Sequence, residues 1–459
     1  MTAPSAAPPA GSTAAVGGRF RPLVGLRRSV LGYVEGMWRT HGDVVRLRLG
    51  PPGLDREVVM LHHPDAAARV LSAGSRSTYV KSDAGNEEIG YWFGRGILVA
   101  EGADWTRQKR FIQPVFTKPA VAGYADLMVE EVGRVVADHD AQGDRVVDLA
   151  GWMQSLTLRV VVSALFGEAS DDVLHHVRRA FPVVSEVVVR RSSGFVRLPP
   201  SIPTRRVLRG RAGRRELFAV GDAVVAARRR SGGGAGTDLL TRLLVARDGA
   251  EQLDDVEVRD QVLTFLIAGH ETTATALTFA LHLLGRHPGL QEEVRAEARA
   301  AAGGGRLGAG ALEELPLTAA VLHEAMRLYP SVPLIPRLVA EEDEVLGHPV
   351  RPGSTVLVSP WTIHRHPAFW DSPLTFDPSR FAPGADAGRH RYAWMPFGGG
   401  PRACIGQHFA LVEAQLALAT ILREHRVTSL DAEDLLPVDT LVTLFARSPV
   451  LARVERLPS

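Results

Sequence analysis

The chain contains a single cysteine, Cys404, among 459 residues. An intrachain disulfide is therefore impossible, and a zinc or iron–sulfur site built from several cysteines is excluded. Cys404 lies in the glycine-rich segment FGGGPRACIG, residues 397–406, which directly precedes a predicted helix over residues 407–424. Any chemical role of this cysteine must therefore be carried out by a single sulfur, held in a tight turn before a helix.

Three features of this segment favour the thiolate over the thiol. Its glycines let backbone N–H groups approach the sulfur without Cβ clashes. The following helix points the positive end of its dipole at the same atom, and Arg402 adds a cation two residues away. A thiolate is the metal-binding form, and an axial ligand to haem is the use that remains for a lone cysteine. A cysteine hydrolase would need an activating histidine, which the sequence does not single out.

The spacing Phe-x-x-Gly-x-Arg-x-Cys-x-Gly over residues 397–406 resembles the haem-binding loop of the cytochrome P-450 family at every fixed position. The likeness continues into the next helix through Phe409, Ala410 and Glu413. The resemblance implies one haem b with Cys404 as the metal ligand. It also places Phe397, Gly400, Arg402 and Gly406 in the haem-binding loop.

Two further segments resemble the same family. HEAMRLYP contains Glu324 and Arg327, which lie at i and i+3 on one helix face and can pair. FDPSRF supplies Arg380, which the resemblance implies as the third member of a buried charge triad. Buried charges are costly unless every member is paired, so these residues are assigned a structural role.

The longest predicted helix covers residues 255–286, with Asp254 as its N-cap. Its centre is nearly all apolar, which predicts burial on most sides, and a glycine there costs about 1 kcal/mol relative to alanine. By the resemblance, Ala268-Gly269-His270-Glu271-Thr272 is the oxygen-activation segment. Ala268 and Gly269 would make room for dioxygen, and Glu271 and Thr272 would relay protons. The alternative for Gly269 and Thr272 is a helix kink satisfied by threonine back-bonding; His270 is expected to be structural.

Haem propionates are anions that need cations or hydrogen-bond donors. The resemblance assigns this role to Trp105, Lys109, Arg337 and Arg402. Lys109 stands where the family usually has arginine, so it keeps the charge but lacks the bidentate fork.

The pattern predicts a mainly α-helical chain with small β-sheets, with a disordered tail over 1–18 and one large domain over 19–459. The resemblance implies that this domain has the cytochrome P-450 fold and encloses the haem. Residues 42–61 are typical of a β-hairpin, 120–300 are almost wholly helical, and short strands and turns follow Pro330. Residues 438–455 are predicted as strands, and the glycine clusters 231–236 and 303–310 as loops.

The charge balance, 53 basic against 51 acidic side chains, gives a net charge of +2 and excludes a generally basic nucleic-acid binder. The arginine run within 205–215 is interpreted as a solvated helix face rather than a nucleic-acid or membrane patch. No window approaches the roughly 20 apolar residues of a membrane span, and the N-terminus lacks a signal-peptide pattern. A soluble cytoplasmic protein without a membrane anchor is expected. Gly303-x-Gly305-x-x-Gly308 follows a helix and opens no βαβ unit, which argues against a dinucleotide site.

The resemblance implies insertion of one oxygen atom from dioxygen into an apolar small molecule. A secondary metabolite such as a terpenoid or polyketide is preferred, with a fatty acid next, and oxidative ring closure or coupling stays open. A haem–thiolate isomerase, dehydratase or peroxygenase is disfavoured because Glu271 and Thr272 are both present; a haem sensor is disfavoured because no signalling domain is visible. The residues expected near the substrate are Tyr91, Trp92, Phe93, Leu98, Val99, Phe265, Ala268, Val332, Leu334 and Leu444.

Electrons are expected from separate proteins. Only 55 residues (459 − 404) follow Cys404, too few for a flavin or ferredoxin domain. The resemblance implies a ferredoxin with its reductase, or a flavodoxin. Arg107, Arg110 and Lys109 are expected to offer positive charge to such an acidic partner, in an association that weakens with salt.

Overall fold

The computed structural model is predominantly α-helical. It describes residues 14–15, 25, 28–50, 56–81, 84–143, 145–167, 170–192, 202–231, 238–440 and 442–458. The predicted tail over 1–18 and the first glycine cluster fall almost wholly outside these ranges. The α-helices are α1 Val30–His41, α2 Pro64–Leu71, α3 Ala84–Phe93, α4 Gly102–Ile112, α5 Lys118–Ala122, α6 Ala125–Asp140, α7 Leu149–Phe166, α8 Asp171–Ser192, α9 Arg205–Arg230, α10 Leu239–Val245, α11 Asp255–Arg286, α12 Pro288–Ala302, α13 Pro316–Leu328, α14 Pro360–Ile363 and α15 Gln407–Glu424.

The strands are short and form small separate sheets. They are β1 Ala14–Ala15, β2 Val44–Leu49, β3 Arg56–Leu61, β4 Tyr79–Val80, β5 Arg145–Asp148, β6 Ile335–Val339, β7 Asp343–Val345, β8 His348–Val350, β9 Thr355–Val358, β10 His425–Ser429, β11 Val438–Thr440, β12 Leu444–Ala446 and β13 Leu451–Arg456. The largest sheet has the order β1-β2-β3-β9-β6-β4, and a second has the order β10-β13-β5. The pairs β11-β12 and β7-β8 complete the set in the described ranges. The mainly α prediction with small sheets is confirmed.

The chain clusters into two compact units, and it crosses from one to the other five times. The first unit comprises residues 1–83, 323–404 and 435–448, and the second comprises 84–322, 405–434 and 449–459. Because the segments alternate along the chain, no single cut in the sequence separates the units.

The first unit is built on the six-stranded sheet. The predicted hairpin is confirmed as β2 and β3, which pair antiparallel from Val44 opposite Leu61 to Leu49 opposite Arg56. Parallel pairing of β3 with β9 then brings together strands from distant parts of the sequence. One face of this sheet packs on α2 and on Met395, which precedes the cysteine segment. The apolar core of this unit therefore supports the residues that lead into Cys404.

The second unit is organised around α11, whose bounds and N-cap agree with the sequence prediction. Asp254 caps Glu257 N–H, and Glu257 reaches back to the N–H of Asp254 at 2.9 Å, which satisfies two of the otherwise unpaired donors at the helix start. The helix packs along α7, which is itself apolar and long enough, by length and composition, to cross a membrane. Two thirds of α7 is buried within the protein, as in a core helix, so this composition is weak evidence for a span.

Candidate functional site

The cysteine segment forms a turn that favours glycine at two positions. Gly398 and Gly400 have φ angles of 70° and 66°, in the left-handed region that disfavours side chains. A Cβ on Gly400 would lie 1.7 Å from the carbonyl oxygen of Leu71, the last residue of α2. The sequence predicts that these glycines let N–H groups approach the sulfur. At Gly400 the structure adds a second requirement, close packing on α2.

Cys404 itself is exposed and belongs to no disulfide. Its N–H donates to the carbonyl of Phe397 at 2.9 Å, which closes the turn, and Arg402 lies half-buried in a short 3₁₀ turn over Gly400–Arg402. The helix α15 begins three residues later at Gln407. An accessible sulfur on a turn fixed by its own backbone fits the requirements of an axial haem ligand.

The predicted charge triad is confirmed in the same unit. Arg327 makes a two-pronged contact with Glu324, at 2.6 and 2.7 Å, and both side chains are fully buried. Arg380 Nε lies 3.4 Å from a Glu324 oxygen, close enough for charge attraction but without hydrogen-bond geometry. The remaining Arg327 donors are taken by the backbone carbonyls of His364, Pro373 and Thr375. The Glu324–Arg327 pair therefore satisfies the condition that makes buried charges tolerable, and Arg380 joins it through charge attraction.

A buried histidine links this triad to the cysteine segment, and the sequence analysis assigned it no role. The carbonyl of His364 accepts from Arg327, while its Nε2 accepts from the N–H of Met395 at 2.9 Å. Burial lowers the pKa of His364 to about 3, so the ring stays neutral and Nε2 remains an acceptor. Met395 stands two residues before Phe397, so the hydrogen bond fixes the entry into the turn.

The second unit presents a partly open stripe on the otherwise buried helix α11. Ala268 is exposed, and Glu271 and Thr272 are half-buried, whereas the residues on either side along the chain are mostly buried. The Thr272 hydroxyl donates to the carbonyl of Ala268 at 2.7 Å, and that of Thr275 donates to Glu271 at 2.8 Å. Three of the four predicted oxygen-handling residues thus share one accessible face.

Gly269 packs against a neighbouring helix. A Cβ on Gly269 would lie 3.0 Å from Cγ2 of Val161 in α7, so its missing side chain makes room for that helix. This packing is a further reason for glycine at 269, and its expected part in making room for dioxygen stays a prediction. His270 is structural, as expected: it is buried, its ring packs edge-on against Phe181 of α8 with centroids 4.7 Å apart, and burial lowers its pKa to about 4.

The loop between α3 and α4 is fixed to α11 by side chains that the sequence analysis missed. Asp260 accepts from Arg95 N–H at 2.7 Å, and Gln261 accepts from Ile97 N–H at 2.9 Å. A Cβ on Gly96 would lie 2.0 Å from the Thr264 hydroxyl. In the sequence, polar residues at 260, 261 and 264 lie on one side of a helix that is predicted to be buried, and this spacing could have indicated the contact. Leu98 and Val99, expected near substrate, follow directly and are half-buried.

Other residues expected near substrate are core residues or surface residues. Trp92 is fully buried and its indole N–H donates to Glu88, while Phe93 packs on Phe181. Tyr91 is 41% exposed and lies under the guanidinium of Arg214. Phe265 is buried in the second unit and Leu444 in the first, while Val332 and Leu334 are half-buried.

The predicted propionate partners occupy structured positions. Trp105 is buried in α4, and the Lys109 ammonium lies 5.0 Å from the centre of its ring. This cation–π contact orients the lysine that replaces the family's arginine. In the other unit, Arg337 is buried in β6 and donates to the carbonyl of Pro336 at 2.8 Å.

The arginines expected to bind an acidic electron donor form ion pairs with carboxylates of the same chain. Arg107 pairs with Glu257 and with Glu251, and Arg110 pairs with Asp248 at 2.6 Å. Both arginines are therefore engaged by carboxylates of the same chain, and their expected contact with an acidic electron donor stays a prediction. Lys109 is also turned onto the Trp105 ring.

Comparison with known proteins extends these observations. The model of the cytochrome P-450 family matches residues 22–455. The chain is 34% identical to a cyclooctatin synthase of Streptomyces melanosporofaciens, over 86% of this chain and 85% of that protein. It is 31% identical to a pentalenene oxygenase of Streptomyces avermitilis, over 95% and 96%. The crystal structure of the haem domain of cytochrome P450DA superimposes with a TM-score of 0.85 at 28% identity, covering 96% and 95% of the two chains.

With its cysteine turn, its Glu324–Arg327 pair and this match over nearly the whole length, the protein is a haem-thiolate enzyme. The chain belongs to the cytochrome P-450 family, and it is an oxidoreductase of the monooxygenase class.

Proposed function

We propose that the protein inserts one oxygen atom from dioxygen into an apolar secondary metabolite, with a terpenoid as the preferred class. The observation that carries this proposal is the exposed Cys404 on a turn in which Gly398 and Gly400 adopt left-handed φ angles. The terpenoid preference is supported by the relatives named cyclooctatin synthase and pentalenene oxygenase, which share about a third of their residues with this chain.

The cofactor proposed is haem b, which the sulfur of Cys404 would bind. A haem with a thiolate ligand supplies the activation of dioxygen. Of the chain's own groups, the Thr272 hydroxyl donates a hydrogen bond to the Ala268 carbonyl, and a hydroxyl oxygen can also accept one. The half-buried Glu271 is a neighbouring acid that would supply protons, and the Thr272 hydroxyl would pass them on by taking up one proton as it gives up another. Arg337, Arg402, Lys109 and Trp105 would bind the propionates.

The first test is spectroscopic. The reduced, carbon-monoxide-bound protein is expected to show the red-shifted Soret band of thiolate ligation, and Cys404→His is expected to lose that band. An imidazole-type spectrum from the wild-type protein would show that the assignment is wrong.

The second test concerns oxygen handling. Thr272→Ala removes the proposed proton-relay hydroxyl, so reducing equivalents should be diverted to hydrogen peroxide while substrate binding is kept. Product formed per reductant consumed measures this directly; unchanged coupling would contradict the role of Thr272. Thr278→Val is a matched control, because Thr278 makes the same type of back-bond to Ala274 on the same helix.

The substrate class and electron source require turnover. Screening terpenoids, polyketides and fatty acids for substrate-induced spin-state shifts, followed by product analysis, tests the class. Electrons are proposed to come from a separate ferredoxin and reductase, or a flavodoxin, in the cytoplasm. Turnover of the purified protein with NADH or NADPH alone would refute a separate donor.

A further inference from the structure

The back of the oxygen-handling segment is held by a neighbouring helix through one hydroxyl. Thr157, in α7, is completely buried, and its Oγ1 lies 2.9 Å from the carbonyl oxygen of His270 in α11. One turn further along α7, Val161 fills the space beside Gly269. Thr157 and Val161 are four residues apart, so they lie on the same face of α7. This face contacts two consecutive residues of the segment that ends in Thr272.

The hydroxyl of Thr157 has a choice of acceptors. It lies 2.9 Å from its own helix carbonyl at Met153 and equally far from His270. A hydroxyl carries one hydrogen, so it donates fully to only one carbonyl at a time. Donation to Met153 stays within α7, whereas donation to His270 is the bond that crosses between the two helices.

The contact lies behind the accessible stripe. An α-helix completes a turn in about 3.6 residues, so His270, which stands midway between Ala268 and Thr272 in sequence, projects from roughly the opposite side of α11. The His270 ring is also held on this side, by Phe181 and by a bond from Nδ1 to the carbonyl of Leu266. The turn carrying Thr272 is therefore supported from the side that faces away from the accessible stripe.

We propose that Thr157 is a positioning residue for oxygen handling: its hydroxyl binds the His270 carbonyl and fixes the α11 turn that aims the Thr272 hydroxyl. This inference rests on the proposed function of Thr272 and adds a residue outside the accessible face. Because Thr157 bonds to the backbone of His270, its effect on Thr272 passes through the backbone of residues 269–272.

The test uses two substitutions at one site. Thr157→Val keeps the shape and removes the hydroxyl, and Thr157→Ser keeps the hydroxyl. The haem-loaded protein is reduced and mixed with dioxygen, and its return to the ferric state is followed. Thr157→Val is expected to return about fivefold faster, on the order of what one lost buried hydrogen bond gives. Thr157→Ser and the control Thr278→Val should stay near wild type.

Two further measurements separate positioning from general destabilisation. In a Thr272→Ala background, Thr157→Val should add no further change, because the group being aimed is gone. Hydrogen exchange should rise at the amides of residues 271–274 in Thr157→Val but not in Thr278→Val, at equal melting temperatures. Wild-type behaviour of Thr157→Val, or additive effects with Thr272→Ala, would overturn the proposal. A missing thiolate band would refute the proposed function instead, while the exchange measurement, which needs no haem, would still test the Thr157 contact.

Discussion

Replacing Gly400 with alanine should damage the cysteine turn far more than the same change at Gly398. Both glycines have nearly the same φ, 66° and 70°. An alanine in the left-handed region costs about 1–2 kcal/mol at either position. At Gly398 the nearest atom to a new Cβ is Cδ1 of Ile335 at 3.9 Å, an ordinary contact, so the backbone term should be the whole cost.

Alanine at position 400 has a second energetic cost, because backbone atoms of α2 occupy the place of its Cβ. A new Cβ would lie 1.7 Å from the Leu71 carbonyl oxygen and 2.9 Å from its carbon. Contacts of a Cβ closer than 3.0 Å essentially never occur, so either the turn or the end of α2 would have to move. Leu71 is buried in the apolar core of its unit, so α2 cannot shift freely. Forced repacking of this kind costs about 1–3 kcal/mol, which gives about 2–5 kcal/mol in total for Gly400→Ala.

The assay is urea unfolding of both variants, combined with the thiolate band of the reduced carbon-monoxide complex. Gly398→Ala should lose about 1–2 kcal/mol and keep the band. Gly400→Ala should lose more and show a weaker band, because the turn that carries Cys404 must distort. Equal losses in the two variants would refute the argument that α2 packing, rather than φ alone, demands glycine at 400.

Three other predictions concern buried ionisable groups. Arg327→Leu should lower the free energy of unfolding in urea by about 3–5 kcal/mol, because it leaves the buried Glu324 carboxylate without its partner. The control Arg39→Leu, which removes a side chain that is 61% exposed, should cost under about 1 kcal/mol. Similar losses in the two variants would contradict the triad. Burial raises the pKa of Glu413, so the folded state keeps a proton that the unfolded chain releases above its ordinary pKa. Wild-type stability should therefore fall as pH rises, and Glu413→Gln should gain stability relative to wild type between pH 5 and pH 8. A difference in unfolding free energy that stays constant with pH would exclude a neutral carboxyl. Burial lowers the pKa of four histidines to about 3 or 4: His62, His270, His323 and His364. In the unfolded chain these rings take up protons below about pH 6.5, so the melting temperature should fall from pH 7.5 to pH 5, with about 2 kcal/mol of stability lost per histidine. A melting temperature that does not change with pH would disprove their burial as neutral rings.

The sequence determined the features that are decided within a few neighbouring residues. The bounds of α11 followed from its apolar run and from the cap at Asp254, and the hairpin followed from alternation around a turn. The cysteine segment and the Glu324–Arg327 pair were readable because ligand, glycines and charges stand at fixed short spacings. Such spacings specify local geometry directly, so a single chain was enough to predict them.

Tertiary structure alone decided which atoms those local elements meet. Leu71, in a distant part of the sequence, makes glycine obligatory at position 400. Thr157 reaches the His270 carbonyl across 113 residues, and Glu257 neutralises Arg107 across 150. No spacing rule encodes these pairs, because each depends on how two independently formed elements pack. The sequence could therefore single out Cys404 and Thr272 as candidates for the chemistry, but only packing shows what fixes their positions and which nearby charges are already paired.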